Sequence, residues 1–176
     1  MDKQYRKFLD KIFPKEMTAR FPQFEQYKGD KAEFEMFRAG TKAYRHKLLE
    51  QAYCYLLTSP GERTETDYFV RLGWGFGDKI TETNYLEQIR ALDDIPDPSE
   101  KFETGFWTLG EIERKQAHSI ESIPARSRLS SNPDMVTDDQ IEQAVKASVL
   151  DVMDRLAVQI PLFEDKILQA AARRQS

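Results

Sequence analysis

Between Asp67 and Gly77 the chain reads DYFVRLGWGFG, in which Tyr68, Val70, Leu72, Trp74 and Phe76 alternate with Phe69, Arg71, Gly73, Gly75 and Gly77. This two-residue period predicts a strand with one bulky face for the core. Its other face is stripped, so a neighbouring side chain, a helix or a ligand can lie close to the backbone. Gln51 to Thr58, QAYCYLLT, is rich in strand-forming aromatics and is set off by the turn-rich segment SPGERTET, so the two strands are expected to pair antiparallel. Upstream, Glu33 to Phe37 alternates as a strand, and Gly40 followed by Lys42 to His46 reads as a tight turn into a second short strand. FETGFWTL, residues 102 to 109, completes a set of about five strands.

Helical spacing brackets these strands. Tyr5, Phe8, Leu9, Ile12 and Phe13 form one stripe, with Pro14 and Pro22 expected to kink or divide the segment. Tyr85, Leu86, Ile89 and Leu92 share a face and predict a helix that stops before the two prolines of IPDPSE. Residues 111 to 134 show no sustained period and read as irregular surface. A Thr137 to Gln140 capping box then opens a long helix with Ile141, Val145, Val149, Val152, Leu156 and Ile160 inward. Pro161 is expected to begin a last short helix carrying Phe163 and Ile167. Strands bracketed by helices, without βαβ alternation, give the fold class: a single α+β domain, its antiparallel sheet packed on one face by the N- and C-terminal helices.

Composition narrows the class. At 176 residues the chain suits one domain with a sizeable core, and 40% hydrophobic with 32% charged residues marks it as globular. The apolar runs are too short to span a bilayer, and charges throughout MDKQYRKFLDKIF leave no room for an export signal, so a cytoplasmic location and no membrane partner are expected. Cys54 is the single cysteine, lies in a strand pattern without metal-ligand spacing, and reads as a packing residue. The net charge is −4 and unevenly spread: residues 1 to 50 are mildly basic, and between Asp78 and Glu113 ten carboxylates meet only Lys79, Arg90 and Lys101. That stretch is unsuited to duplex DNA and suits a basic protein partner, although a solvated face is the plainer reading.

The chemistry that can be tested residue by residue is sparse. GWGFG has neither the P-loop nor the dinucleotide spacing. His46 and His118 lie far apart, without a nucleophile elbow or a recognisable Cys-His context, and one cysteine with two isolated histidines falls short of a zinc site unless acids such as Glu111 and Glu113 contribute. No cofactor or metal is therefore expected. Asp138 and Asp139 are accounted for by the dipole of the helix they begin. Arg38, Arg45 and Arg71 stand out because each is embedded among strand aromatics near Tyr44, Tyr53, Tyr55 and Phe69. On one sheet face they would suit base stacking, phosphate or an acidic partner surface, against a plainer reading of cross-strand pairing with Glu33, Glu35 or Glu50.

The order of an N-terminal helix, FRAGTKAYR, a meander ending in FVRLGW, and a late helix closing on IPLFEDKIL resembles a group of uncharacterised bacterial α+β domains of unknown function. The positions that carry the resemblance are Gly40, Tyr44, Arg45, Gly73, Pro161 and Phe163. It implies no activity and no catalytic residue, and similar small domains include immunity and defence modules. The leading expectation is thus a non-enzymatic protein-binding module, immunity-like or regulatory, that recognises a basic partner through the acidic stretch around Asp93, Asp94 and Asp97 or by strand addition at a sheet edge. The alternative is a small-molecule or nucleotide-processing enzyme with an unconventional site around Arg45, Arg71, Glu111 and Glu113.

Overall fold

The computed structural model describes residues 2–35, 37, 39–60, 68–80, 83–86, 98, 104–108 and 137–175. In chain order these form α1 (Asp2–Arg20), β1 (Glu25–Tyr27), α2 (Lys31–Phe34), β2 (Lys42–Leu49), β3 (Ala52–Pro60), β4 (Tyr68–Gly75), β5 (Thr83–Leu86), β6 (Thr104–Thr108) and α3 (Asp138–Arg174). The strands make one sheet in the order β1-β2-β3-β4-β6-β5. Four of its pairings are antiparallel and the outermost, β5 with β6, is parallel. The expected α+β class with an antiparallel sheet stands; the expected count of about five strands does not.

Alternation decides which face each strand residue joins. Cys54 and Leu56 of β3 and Tyr68, Val70, Leu72 and Trp74 of β4 point into the main core, against Tyr5, Phe13 and Met17 of α1 and Val149, Met153, Leu156 and Phe163 of α3. The other phase of β2 and β3, Ala43, Tyr53, Tyr55 and Leu57, joins Phe37 and Ile80 in a smaller core on the opposite face. The terminal helices do share one face, but the sheet is also covered on its reverse side at the β1–β3 end. There α2 and the segment after β4 contribute Phe34 and Ile80.

Two expectations about local structure are corrected. Glu33 and Phe34 are helical where a strand over Glu33 to Phe37 was expected: Lys31–Phe34 is a single helical turn, begun by Asp30, whose backbone amide donates to Glu33 Oε1 at 2.8 Å. Asp followed three residues later by Glu is a helix-start signal, and it outweighs the alternation of EFEMF. The strand paired with the start of β2 is therefore β1, with Glu25 opposite Arg45 and Tyr27 opposite Ala43. Thr83–Leu86 is a strand where a helix over Tyr85 to Leu92 was expected, because backbone pairing with β6 overrides a short helical spacing; residues 87 to 92 lie outside the described residues. The irregular segment expected over 111 to 134 also lies outside them.

Neither proline divides its helix. α1 runs through Pro14, and α3 runs through Pro161 without a break. An interior proline costs a helix about 3 kcal/mol. Burial of one large apolar side chain returns about 1.5–3 kcal/mol, and Ile160, Phe163 and Ile167 are all buried around Pro161. Tertiary packing therefore wins over local preference. The Thr137–Gln140 capping box forms as expected, with both reciprocal bonds present.

The stripped face of β4 has a defined use. A Cβ built on Gly75 would stand 2.6 Å from Cε2 of the Tyr55 ring, so the ring lies directly on the glycine backbone. Tyr55 is fully buried and has nowhere to swing. Gly75→Ala should consequently destabilise the fold by about 1–3 kcal/mol, the usual cost of overpacking, as read by urea denaturation; an unchanged midpoint would mean that the ring is not seated there.

Candidate functional site

The reverse face between β1 and β3 holds the densest polar chemistry among the described residues. Cross-strand register places Arg45 between Glu25 and Tyr55. Its guanidinium lies 4.6 Å from the Tyr27 ring centre and 5.3 Å from that of Tyr53, and its Nε donates to Glu25 Oε1 at 2.8 Å. Burial works against the charge of Arg45, but the bond to Glu25, the Glu25 charge and the neighbouring Tyr55 and Tyr27 together outweigh it and hold the guanidinium more firmly protonated than usual. Burial likewise pushes the Tyr55 hydroxyl up to about 12.

A second cluster closes over this one. Glu33, 8% exposed, accepts from the Tyr27 hydroxyl at 2.6 Å, from Asp30 N at 2.8 Å and from Ile80 N at 2.9 Å. Asp78 accepts from the Tyr53 hydroxyl at 2.7 Å, and Lys79 meets Asp30 at 2.9 Å. Burial alone would raise the Glu33 carboxyl, but the bonds from Tyr27, Asp30 and Ile80 hold it below the ordinary carboxylate value. These contacts fasten α2 to the segment after β4.

The structure brings together only some of the residues singled out in the sequence. Arg45 and Arg71 share the reverse face, but β3 separates their strands, and Arg71 aligns with Leu57 and Ala43 where Arg45 aligns with Tyr55 and Gly73. Arg71 rests over Phe69 at 5.2 Å and donates to Ser59 Oγ at 3.3 Å, apart from the Tyr27–Tyr53 stack. The side chain of Tyr44 points the other way, into the main core. Arg45 does pair across strands, with Glu25 in place of the expected Glu33, Glu35 or Glu50. Arg38, Asp93, Asp94, Asp97, Glu111, Glu113 and His118 lie outside the described residues.

Sequence reasoning passed over the carboxylate partner of His46. Nδ1 of His46 stands 2.8 Å from Glu164 Oε1 of α3, and His46 lies directly across from Cys54 in the sheet register. A thiol, an imidazole and a carboxylate are thus neighbours, although 118 residues separate His46 from Glu164 and no local motif signals the contact. The arrangement does not activate the thiol. Cys54 is fully buried, and burial, reinforced by the Glu164 charge, pushes its pKa well above the ordinary thiol value. The histidine ring lies tilted against Phe24, with ring centres 5.5 Å apart, and its contact with Glu164 ties β2 to α3.

Two surface features complete the picture. β1 covers only Ala43 to Arg45 of the eight-residue β2, so among the described residues no strand pairs with His46 to Leu49 on that side. Leu49 at the end of this edge is 43% exposed. An open cleft of about 430 Å³ adjoins it, lined by the β2–β3 turn, Phe76 and the end of α3. No group of three or more His, Cys, Asp or Glu side chains able to hold a metal occurs among the described residues, nor does any helix there have the length and apolarity to cross a membrane. No protein-family model matches the sequence, and neither curated proteins nor solved structures give a match.

Proposed function

We propose that this chain is a non-enzymatic protein-binding module of the immunity or regulatory kind, which takes up an extended segment of a basic partner along the outer edge of β2. The observation that carries this reading is the three-residue reach of β1 along an eight-residue β2. The edge beyond Arg45 presents backbone groups without a neighbouring strand among the described residues, and an added strand satisfies such groups while its alternate side chains supply specificity. Lys47 and the register shift between Lys47 and Leu49 make indiscriminate edge pairing unfavourable, which suits a selective partner. The acidic composition between Asp78 and Glu113, with Asp93, Asp94 and Asp97 at its centre, supplies the attraction for a basic protein. The reading is supported further by Arg45 and Cys54, whose chemistry is already committed to packing.

The test is capture from the source lysate, nuclease-treated, at low and high salt, with two variants alongside the parent chain. A basic protein retained in stoichiometric amount by the parent should be lost in Leu49→Lys and weakened in the triple variant D93N/D94N/D97N, with release at high salt. Retention of the same protein by both variants at all salt concentrations would remove the proposed surface.

A further inference from the structure

We infer that two copies of this chain pair through the outer face of α3, the two helices lying antiparallel about a two-fold axis level with Ile160. This inference is independent of the strand-edge reading. Inward, α3 buries Leu156, Ile160 and Phe163 in the main core. Outward it carries Asp151, Arg155, Val158, Leu162, Asp165 and Gln169, which recur at alternating steps of four and three residues and so form one stripe along the helix. Arg155 is half-buried and the other five are exposed. Val158 and Leu162, at 52% and 44%, are two of the three large apolar side chains exposed among the described residues, and their four-residue spacing makes them neighbours. A two-fold axis sets residues equally far before and after Ile160 against each other, so Val158 meets Leu162, Arg155 meets Asp165 and Asp151 meets Gln169, every contact being made twice. Apolar thus faces apolar, cation faces carboxylate, and carboxylate faces an amide donor. Moving the axis by half a heptad in either direction would set Leu162 against Asp151 or Asp165, so the sequence favours this register. Arg155 already holds its own Asp151, with Nε 3.1 Å from Oδ2 and Nη2 3.4 Å from Oδ1. That pair runs along the stripe, and the five donors of a guanidinium let it serve a second carboxylate as well.

The experiment is sedimentation equilibrium of the full chain at low and high micromolar concentration, with the folding of each variant checked by circular dichroism. Six residues a side are fewer than the about 20–30 of a standard interface, so the parent should move from monomer towards dimer mass as its concentration rises. Leu162→Glu sets a carboxylate against Val158, and Arg155→Asp sets one against Asp165; each should weaken the dimer by about tenfold or more. The exchange R155D/D165R restores opposite charges across the axis and should recover affinity relative to Arg155→Asp, a result particular to the two-fold register. A parent chain monomeric at every concentration would overturn the proposal. So would a dimer indifferent to both Leu162→Glu and Arg155→Asp, or one lost instead in Leu49→Lys, which would place the contact at the β2 edge. Failure of R155D/D165R to associate more tightly than Arg155→Asp would overturn the antiparallel register.

Discussion

Replacement of Trp74 by alanine is expected to cost about 3–5 kcal/mol of stability, the range for deleting a buried large aromatic. Trp74 is 0% exposed and belongs to the main core beneath α1 and α3. It sits in the middle of the sheet, opposite Cys54 on one side and Gly105 on the other. The strands at this position are held by their ladder, so the space left by the indole cannot collapse, and the cavity term adds to the lost transfer free energy. Against a typical total of about 5–15 kcal/mol, that loss would leave the variant marginal. Urea denaturation at unchanged m-value measures it. A change under about 1 kcal/mol, the scale of a surface substitution, would place the ring on the outside.

Glu33→Ala is expected to cost about 3 kcal/mol, although it removes a small side chain from a segment of a single helical turn. Three donors, the Tyr27 hydroxyl and the amides of Asp30 and Ile80, converge on this one carboxylate. Without it the buried amide of Ile80 loses its acceptor, and the part-buried Tyr27 hydroxyl and Asp30 amide lose their shorter bonds, at about 1–3 kcal/mol for a group left unsatisfied. The same contacts set a pH dependence. The Glu33 carboxyl is held below its unfolded value, so in the acid range the unfolded state binds the extra proton. Stability from this group is therefore fully present above the unfolded carboxylate pKa of about 4.3 and is lost as pH falls through the folded value. Glu33→Gln should flatten that acid limb relative to the parent while weakening the fold at neutral pH. An acid limb identical to the parent's would show that Glu33 does not fasten the cover.

The parts of this fold that the sequence makes legible are those where one physical signal acts alone. The two-residue period of Tyr68 to Phe76 fixes the inward face of β4 because nothing competes with it, and the capping box at Thr137 locates the start of α3 to the residue. Where signals compete, the stronger is not visible locally. EFEMF alternates, but Asp30 and Glu33 start a helical turn, and Glu33 is held by Ile80, which is 47 residues away. Pro161 carries a stop signal that the buried side chains on either side overrule. The site shows the same division. Arg45 is recognisable as an unusual strand arginine, yet its stack depends on Tyr27 and Glu25, which come from a three-residue strand too short to announce itself. The His46–Glu164 contact and the cleft at Arg174 join elements more than a hundred residues apart, so only the folded chain displays them.

The most direct test of the binding reading is amide hydrogen exchange, comparing the free chain with its complex with the captured partner. In an antiparallel strand alternate amides face each neighbour. On the free edge of β2 the outward amides between His46 and Leu49 should exchange quickly, and the partner's added strand should slow them, with little change in β3 and β4. Protection confined to other segments, with exchange of His46 to Leu49 unaltered in the complex, would contradict the proposed edge recognition.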